Sequence, residues 1–467
     1  MSDIGGSELS REPKILIATF DGTAGSYNTA NSNVVKFVSL LKKDTDCQLS
    51  YYQQGYSSLL VIQAGVGTYF SPGVVSPMFI SLAKILDEAF AWYLDEHVME
   101  GYRFLMDNYR SGDKICLFGF SRGAYTARAL AGMLYKVGLL PKSNLQQVRF
   151  AYKAYKQTGK VANEFAAGFK QTFSRDVKVE FVGVWDTVQS TGVLMSRNLP
   201  FTDSNTLIKT FRHALALDEH RVRFQPELYH RSRSDTADPE YAEMSKFRKA
   251  VGELENKASG KISSLRNKFQ KKFKKKSKCE EVEVVVERTE ETIVNGEANV
   301  ETLVCVDIEP EPSTDVLEVW FPGCHSDIGG GNVANCVEVS LAQNTLRWMV
   351  EQVIQSQCGI LFDEEALERS PTIPSQPNPE ICDALAPLFD ELQLQKAWWL
   401  LEIMLLPYAW QDACGKWHTK WSFHLGKGRV IPYQHPNFHT SVQERMNYAP
   451  LHYTPRAIYQ YGQEVFV

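Results

Sequence analysis

The chain has 467 residues, with 50 Lys and Arg against 55 Asp and Glu, a formal net charge of −5. That balance argues against a protein whose main work is coating nucleic acid. A hydrophobic fraction of 44% and an aromatic fraction of 12% exclude wholesale disorder and support a large core. At roughly 150 residues per domain the length suits two or three domains, or one large α/β core with insertions. No apolar run is long enough for a transmembrane helix. The start, MSDIGGSELSREPK, has no apolar segment of the kind a secretory signal needs. Nine cysteines form neither a disulfide framework nor a zinc-ligand spacing, so reduced thiols and a cytoplasmic location are expected.

Residues 1–13 read as a flexible N-terminus. The first predicted strand is 14–20, KILIATF, a short β-branched run that ends at Asp21-Gly22-Thr23. A helix is predicted over 33–41, capped by Ser32 or Asn33. Residues 59–63, LLVIQ, read as a second buried strand before the turn Gly65-Val66-Gly67-Thr68. Residues 78–110 have helical composition and period, taken as two helices. A strand follows at 114–120, KICLFGF, then a helix over 122–136. Further strands are predicted at 177–184, ending at Trp185-Asp186-Thr187, and at 316–321, ending at Pro322-Gly323-Cys324-His325. Strands alternating with helices imply an α/β, doubly wound, mostly parallel sheet with helices on both faces. In such sheets ligands bind at the carboxyl ends of the strands. Asp21, Ser121, Asp186 and His325 each lie just past such an end.

Residues 233–314 break the pattern and read as a charged insertion that splits the core into 14–232 and 315–360. Residues 261–278 hold nine Lys and Arg and no acid, Lys261, Lys271, Lys272, Lys274, Lys275, Lys276 and Lys278 among them. An acidic run follows, and EVEVVV with Asn295-Gly296 suggests a β-hairpin. The basic run is either a solvated arm, a nuclear-import signal or a peripheral contact with anionic membrane. Phe269 and Phe273, four apart among the lysines, suit the membrane contact. Residues 361–467 form an aromatic-rich, helical C-terminal region with Trp398, Trp399, Trp410, Trp417 and Trp421. It is either a subdomain packed on the core or a lid with an apolar wall for a lipid chain.

Gly119-Phe120-Ser121-Arg122-Gly123 is a G-x-S-x-G between a strand and a helix. At that junction the turn exposes a strained serine at a helix N-terminus, and Gly119 and Gly123 leave room for neighbouring chain. A serine hydroxyl needs a base, and the base an orienting acid, in the chain order Ser, acid, His. Asp186 and His325 fit that order. His439 is the alternative base. Asp218 lies in a stretch that reads as helix, where a structural role is expected. His213 and His220, also in that stretch, read as packing or surface residues. Asp327 supports a neighbour or binds a metal. Oxyanion donors are expected at the N–H groups of Arg122 and of Gly22 or Thr23, with Asp21 shaping the loop. No metal or cofactor is needed for this chemistry.

Together FDGT, GVGT, GDKICLFGFSRGAYTARALAGML, FVGVWDTV, FRHALALDEHRVRF and VWFPGCHSDIGGGN resemble the uncharacterised α/β-hydrolase family that includes the type VI secretion phospholipase effectors, here in a fungal-type form. The resemblance covers residues 14–232 and 315–350, and FHTSVQERM more loosely. It implies an α/β-hydrolase fold and a Ser-Asp-His triad on Ser121, Asp186 and His325. It also implies action on carboxylic esters, phospholipids among them. Ala24-Gly25 and the insertion between Asp186 and His325 depart from the family's pattern. The alternative is an inactive hydrolase fold kept for membrane or protein binding.

Overall fold

The computed structural model describes residues 13–22, 25–55, 77–188, 199–229, 314–369, 379–404, 406–412 and 417–467, with residues 77–92, 379, 406–409, 411, 417 and 419 described by their backbone only. The predicted strand at 59–63, the turn at 65–68, Thr23 and residues 233–313, with the basic run and the hairpin, lie outside the described residues.

In chain order the body runs β1 (Ile15–Phe20), α1 (Asn33–Leu40), β2 (Gln48–Gln53), α2 (Pro77–Asn108), β3 (Lys114–Phe120), α3 (Arg122–Val137), α4 (Leu145–Lys156), α5 (Lys160–Phe173), β4 (Val179–Trp185), β5 (Ile208–Ala216) and β6 (Asp315–Phe321). It continues through α6 (His325–Gly329), α7 (Leu341–Gln355), α8 (Glu364–Arg369), α9 (Pro379–Ala384), α10 (Glu391–Leu394), α11 (Trp399–Glu402), β7 (Leu406–Gln411) and β8 (Trp417–Ser422). It closes with β9 (Asn437–Phe438), α12 (Thr440–Asn447) and β10 (Val465–Phe466).

Eight strands form one sheet in the order β2-β1-β3-β4-β5-β6-β9-β10, every neighbouring pair parallel. All six residues of β1 are buried, as a central parallel strand requires when helices cover both faces. Alternation divides the core. Leu16, Ala18, Phe20, Ile115 and Leu117 face one way and pack with α2–α5. Ile17, Cys116, Phe118, Phe181 and Trp185 face the other way and pack with α1 and α7. This is the doubly wound α/β-hydrolase-like sheet expected from the sequence. Because β2 and β3 flank β1 on opposite sides, the chain reverses direction between β1 and β3. The crevice at such a reversal is where open α/β sheets place ligands.

Three elements differ from the sequence reading. Residues 78–110 hold one helix rather than two. Gly101 is a packing glycine and not a break, since a Cβ there would lie 2.7 Å from the Phe20 ring. The stretch containing His213 is strand β5, not helix. Its buried Arg212 and His213 mask the apolar signal, yet both are matched. Arg212 bonds Gln352 and Asp315, and His213 bonds Glu318. The C-terminal region does contain short helices, but it also supplies β9 and β10 to the sheet and an antiparallel β7–β8 pair. Two-residue strands carry too little pattern to be read from sequence.

The turn after β3 depends on glycine at two positions. A Cβ on Gly123 would sit 2.2 Å from the Phe20 carbonyl oxygen, and one on Gly119 2.4 Å from the Gly123 oxygen. Helix α3 therefore starts in backbone contact with the end of β1. Gly123→Ala should lower folding stability by about 1–3 kcal/mol in chemical denaturation. An unchanged midpoint would contradict this packing.

Candidate active site

Ser121 has φ 58° and ψ −121°, a region that disfavours a side chain, and its N–H donates to the Trp185 carbonyl at 3.0 Å. The strained turn lifts its hydroxyl off the sheet at the head of α3. Asp186, one residue past β4, is also at positive φ, 40°. Its N–H donates to Ala214 at 2.7 Å, and its Oδ1 accepts the Ala216 N–H at 2.9 Å. His325 opens α6, two residues after Gly323, whose φ is +117°.

The three side chains meet. His325 Nε2 lies 2.8 Å from Ser121 Oγ, and His325 Nδ1 lies 2.5 Å from Asp186 Oδ2. With Nδ1–H donating to the carboxylate, Nε2 presents its lone pair to the hydroxyl. The imidazole sits between Phe120 and Phe224, with ring centroids 4.7 and 4.9 Å away. Burial there lowers its pKa below 6.5, against the upward pull of Asp186, so the ring is neutral near pH 7.

Asp186 is fully buried, and burial alone would push its pKa up. Arg429 reverses the sign. Its Nη1 and Nη2 donate to Oδ1 and Oδ2 at 2.6 and 2.8 Å, and it too is fully buried. Together with the His325 bond, it holds the Asp186 carboxyl well below its ordinary range. The sequence reading missed Arg429. Its sole signal is a cation directly after a glycine in GKGRV, and that glycine, Gly428, is tight, with a Cβ there 2.0 Å from the Arg456 oxygen.

Other carboxylates and histidines shape the surroundings. Asp21 accepts from Ser32 Oγ, Tyr52 Oη and the Gly22 N–H at 2.8–2.9 Å, so it ties the β1 loop to the cap of α1. Ser32 is that cap. The Gly22 amide is therefore engaged by Asp21 rather than turned to an oxyanion, although a Cβ on Gly22 would be only 3.2 Å from Ser121 Cβ. The Arg122 amide heads α3 directly after Ser121.

Asp327 caps α6 through the Cys324 N–H at 2.9 Å and also accepts from Phe389 and Asn332. Burial raises its pKa to about 7. Asp218 is not helical: it holds the Gly323 N–H, Tyr453 Oη and the Arg456 N–H at 2.7–2.9 Å. His439 is not brought to Ser121. It caps α12 through the Ser441 N–H and stacks on Phe321. His213 Nε2 accepts the Thr187 N–H at 3.0 Å and so braces the turn that carries Asp186. His220 bonds Asp390 at 2.7 Å. Both are buried, and neither is a surface residue. Glu219, unremarked in the sequence, accepts the His325 N–H at 3.1 Å and pairs with Arg221.

A strained serine on a strand-to-helix turn, at the switch point of a parallel sheet, defines an α/β-hydrolase-type protein. The family model described as the catalytic domain of type VI secretion system (T6SS), Tle1-like phospholipase effectors matches residues 14–352, and the chain belongs to that family of lipase- and phospholipase-type hydrolases. The chain is similar to the uncharacterized protein YEL023C of Saccharomyces cerevisiae, at 27% identity, with 98% of this chain and 83% of that protein aligned. Among solved structures it is similar to an uncharacterized protein from Pseudomonas aeruginosa (16% identity, TM-score 0.34, 84% of this chain and 51% of that one). A Tle1 effector bound to the VgrG spike of the type 6 secretion system also matches (16% identity, TM-score 0.25, 46% and 47%). The matches span about half the length of each solved chain. Among the described residues no helix is long and apolar enough to cross a membrane.

Replacing Arg429 with Met would leave a buried carboxylate unpaired, and should cost about 3–5 kcal/mol in urea denaturation. Because the folded pKa of Asp186 is depressed, its contribution is full above the unfolded value, 3.8, and is lost as pH falls below it. Wild-type stability should therefore fall below that pH, while Arg429→Met should lack this component. Equal acid profiles would contradict the pairing.

Proposed function

We propose that the protein is a serine hydrolase of carboxylic esters, acting on phospholipids or related lipid esters through an acyl-enzyme intermediate. The observation that carries the reading is the chain of contacts Ser121–His325–Asp186, at 2.8 and 2.5 Å. Membership of a phospholipase-effector family supports the lipid class of substrate.

Ser121 Oγ attacks the ester carbonyl carbon as its proton passes to His325 Nε2. The carbonyl π pair moves to oxygen, and the oxyanion forms beside the first amides of α3, Arg122 among them, where the helix end favours negative charge. Collapse expels the alcohol, which takes the proton from Nε2 and leaves Ser121 acylated. Water then attacks the acyl carbon, gives its proton to Nε2, and releases the fatty acid as the serine is reprotonated. Asp186 holds the Nδ1–H tautomer and stabilises the imidazolium formed in each half. A neutral resting imidazole is what a base requires, and burial between Phe120 and Phe224 supplies it.

The test is labelling by a fluorophosphonate. Wild type should form a serine adduct at Ser121. Ser121→Ala should form none while unfolding at the same temperature. Asp186→Asn should slow acylation on the order of 10,000-fold. The labelling rate should rise with pH through a value under 6.5 and then level off, because His325 must lose its proton first. Labelling that persists in Ser121→Ala, or a rate flat across that range, would contradict the reading.

A further inference from the structure

We propose that His213 is a positioning residue for the hydrolytic reaction: by accepting the Thr187 N–H at Nε2, it holds Asp186 where its carboxylate reaches His325. This rests on the hydrolase reading given above and names a residue that acts through Asp186. Asp186 needs such a hold. Its φ of 40° disfavours a side chain and persists only where the surroundings impose it. Strand β5 imposes it from two consecutive residues. The Asp186 N–H donates to the Ala214 carbonyl at 2.7 Å, and the next amide, that of Thr187, donates to the His213 ring at 3.0 Å. The Thr187 carbonyl in turn accepts the Glu227 N–H at 2.9 Å. The bend at Asp186 is therefore fixed on both sides, once by backbone and once by a side chain.

The second of these bonds sets a protonation state. A ring nitrogen that accepts carries no proton, so the neutral His213 ring has its proton on Nδ1. Nδ1 lies 2.9 Å from Oε1 of Glu318, the residue in register with His213 on β6. The same oxygen accepts the Tyr229 N–H at 2.9 Å. Glu318 thus selects the tautomer of His213 as Asp186 selects that of His325. Two histidines, each with a carboxylate at Nδ1, present Nε2 to different partners. One faces the Ser121 hydroxyl, the other the turn that carries the acid.

His213 is fully buried, its ring edge-on to Phe211. The charged groups that face it are Glu318 on β6, Asp186 after β4 and Arg128 on α3. The two carboxylates favour a second proton on the ring. Burial and Arg128 oppose it, and burial prevails, so the ring is neutral near pH 7. Protonation at Nε2 would set one N–H against another. The bond to Thr187 would be lost, and the turn would keep only its backbone anchor to β5.

The test uses the full-length protein, with ¹⁵N spectra of the histidine rings beside fluorophosphonate labelling. At neutral pH the His213 ring should carry its proton on Nδ1 and none on Nε2. His213→Leu fills the space but offers no acceptor. It should slow labelling about 100-fold, the effect of displacing a reacting group by about 1 Å, and should lose the His325 Nδ1–H signal of the Asp186 bond. His213→Gln offers its Oε1 to Thr187 and cannot titrate. It should restore most of the rate and keep that signal. As pH falls through the titration of His213, wild-type labelling should drop more steeply than the one proton on His325 requires, whereas His213→Gln should follow one proton.

A proton on His213 Nε2 at neutral pH would overturn the proposal. So would a folded His213→Leu that labels at the wild-type rate, a His213→Gln no faster than His213→Leu, or equal steepness of the two profiles across that titration. If His213→Leu does not fold, the profile and ring spectrum of His213→Gln decide. The spectra do not depend on labelling. A wild type that never labels would therefore count against the hydrolase reading, while the His325 signal in the His213 variants still decides the positioning.

Discussion

A carboxylate removed wholly from water must meet a cation or keep its proton. Asp186 is in that position, and Arg429 meets it with two parallel charge-assisted bonds. This pair fixes more than one carboxyl group. Arg429 also donates to the carbonyls of Ala216 and Phe224, so the C-terminal region, β5 and the loop at 220–224 converge on one guanidinium. The carboxylate in turn holds His325, and His325 faces Ser121. The residues of the site come from four separated stretches of chain, and the ion pair is where the last of them is joined to the first three.

Electrostatics here work by subtraction. Burial raises the cost of charge on both Asp186 and His325; at Asp186 the bonds from Arg429 and His325 outweigh it, whereas at His325 it outweighs the pull of Asp186. The outcome is an ionised acid next to a neutral ring, the pairing that leaves Nε2 able to accept a proton. Neighbouring carboxylates are kept from competing. Asp21, Asp218 and Asp327 are each saturated by hydrogen bonds from loops and caps, and Glu219 is engaged by Arg221 and the His325 amide.

The sheet was legible where a strand was an apolar run broken by at most one interior carboxylate: β1 and β3 are nearly unbroken, β4 and β6 carry Glu180 and Glu318, and Asp21, Ser121, Asp186 and His325 follow their ends in the structure. β5 was not legible, because Arg212 and His213 interrupt its apolar run and are paid for only by partners on α7 and β6. β2 has an alternating, half-exposed pattern with Tyr51 and Tyr52, and β9 and β10 are two residues each. Arg429 lay beyond sequence reasoning for a related reason. Nothing local distinguishes a cation on the surface from one whose partner is 243 positions away. Gly22 shows the converse: the spacing placed it at the rim, but the direction of its N–H is set by Asp21.

Burial between Phe120 and Phe224 keeps His325 neutral, and the carboxylate that Arg429 holds ionised fixes it in the Nδ1–H tautomer, ready to take a proton from Ser121. The direct measurement is the ¹⁵N spectrum of the His325 ring as a function of pH. Above pH 6.5 the account predicts a protonated Nδ1 and an unprotonated Nε2, with titration below that value. An imidazolium persisting at neutral pH, or a proton on Nε2 in place of Nδ1, would contradict it.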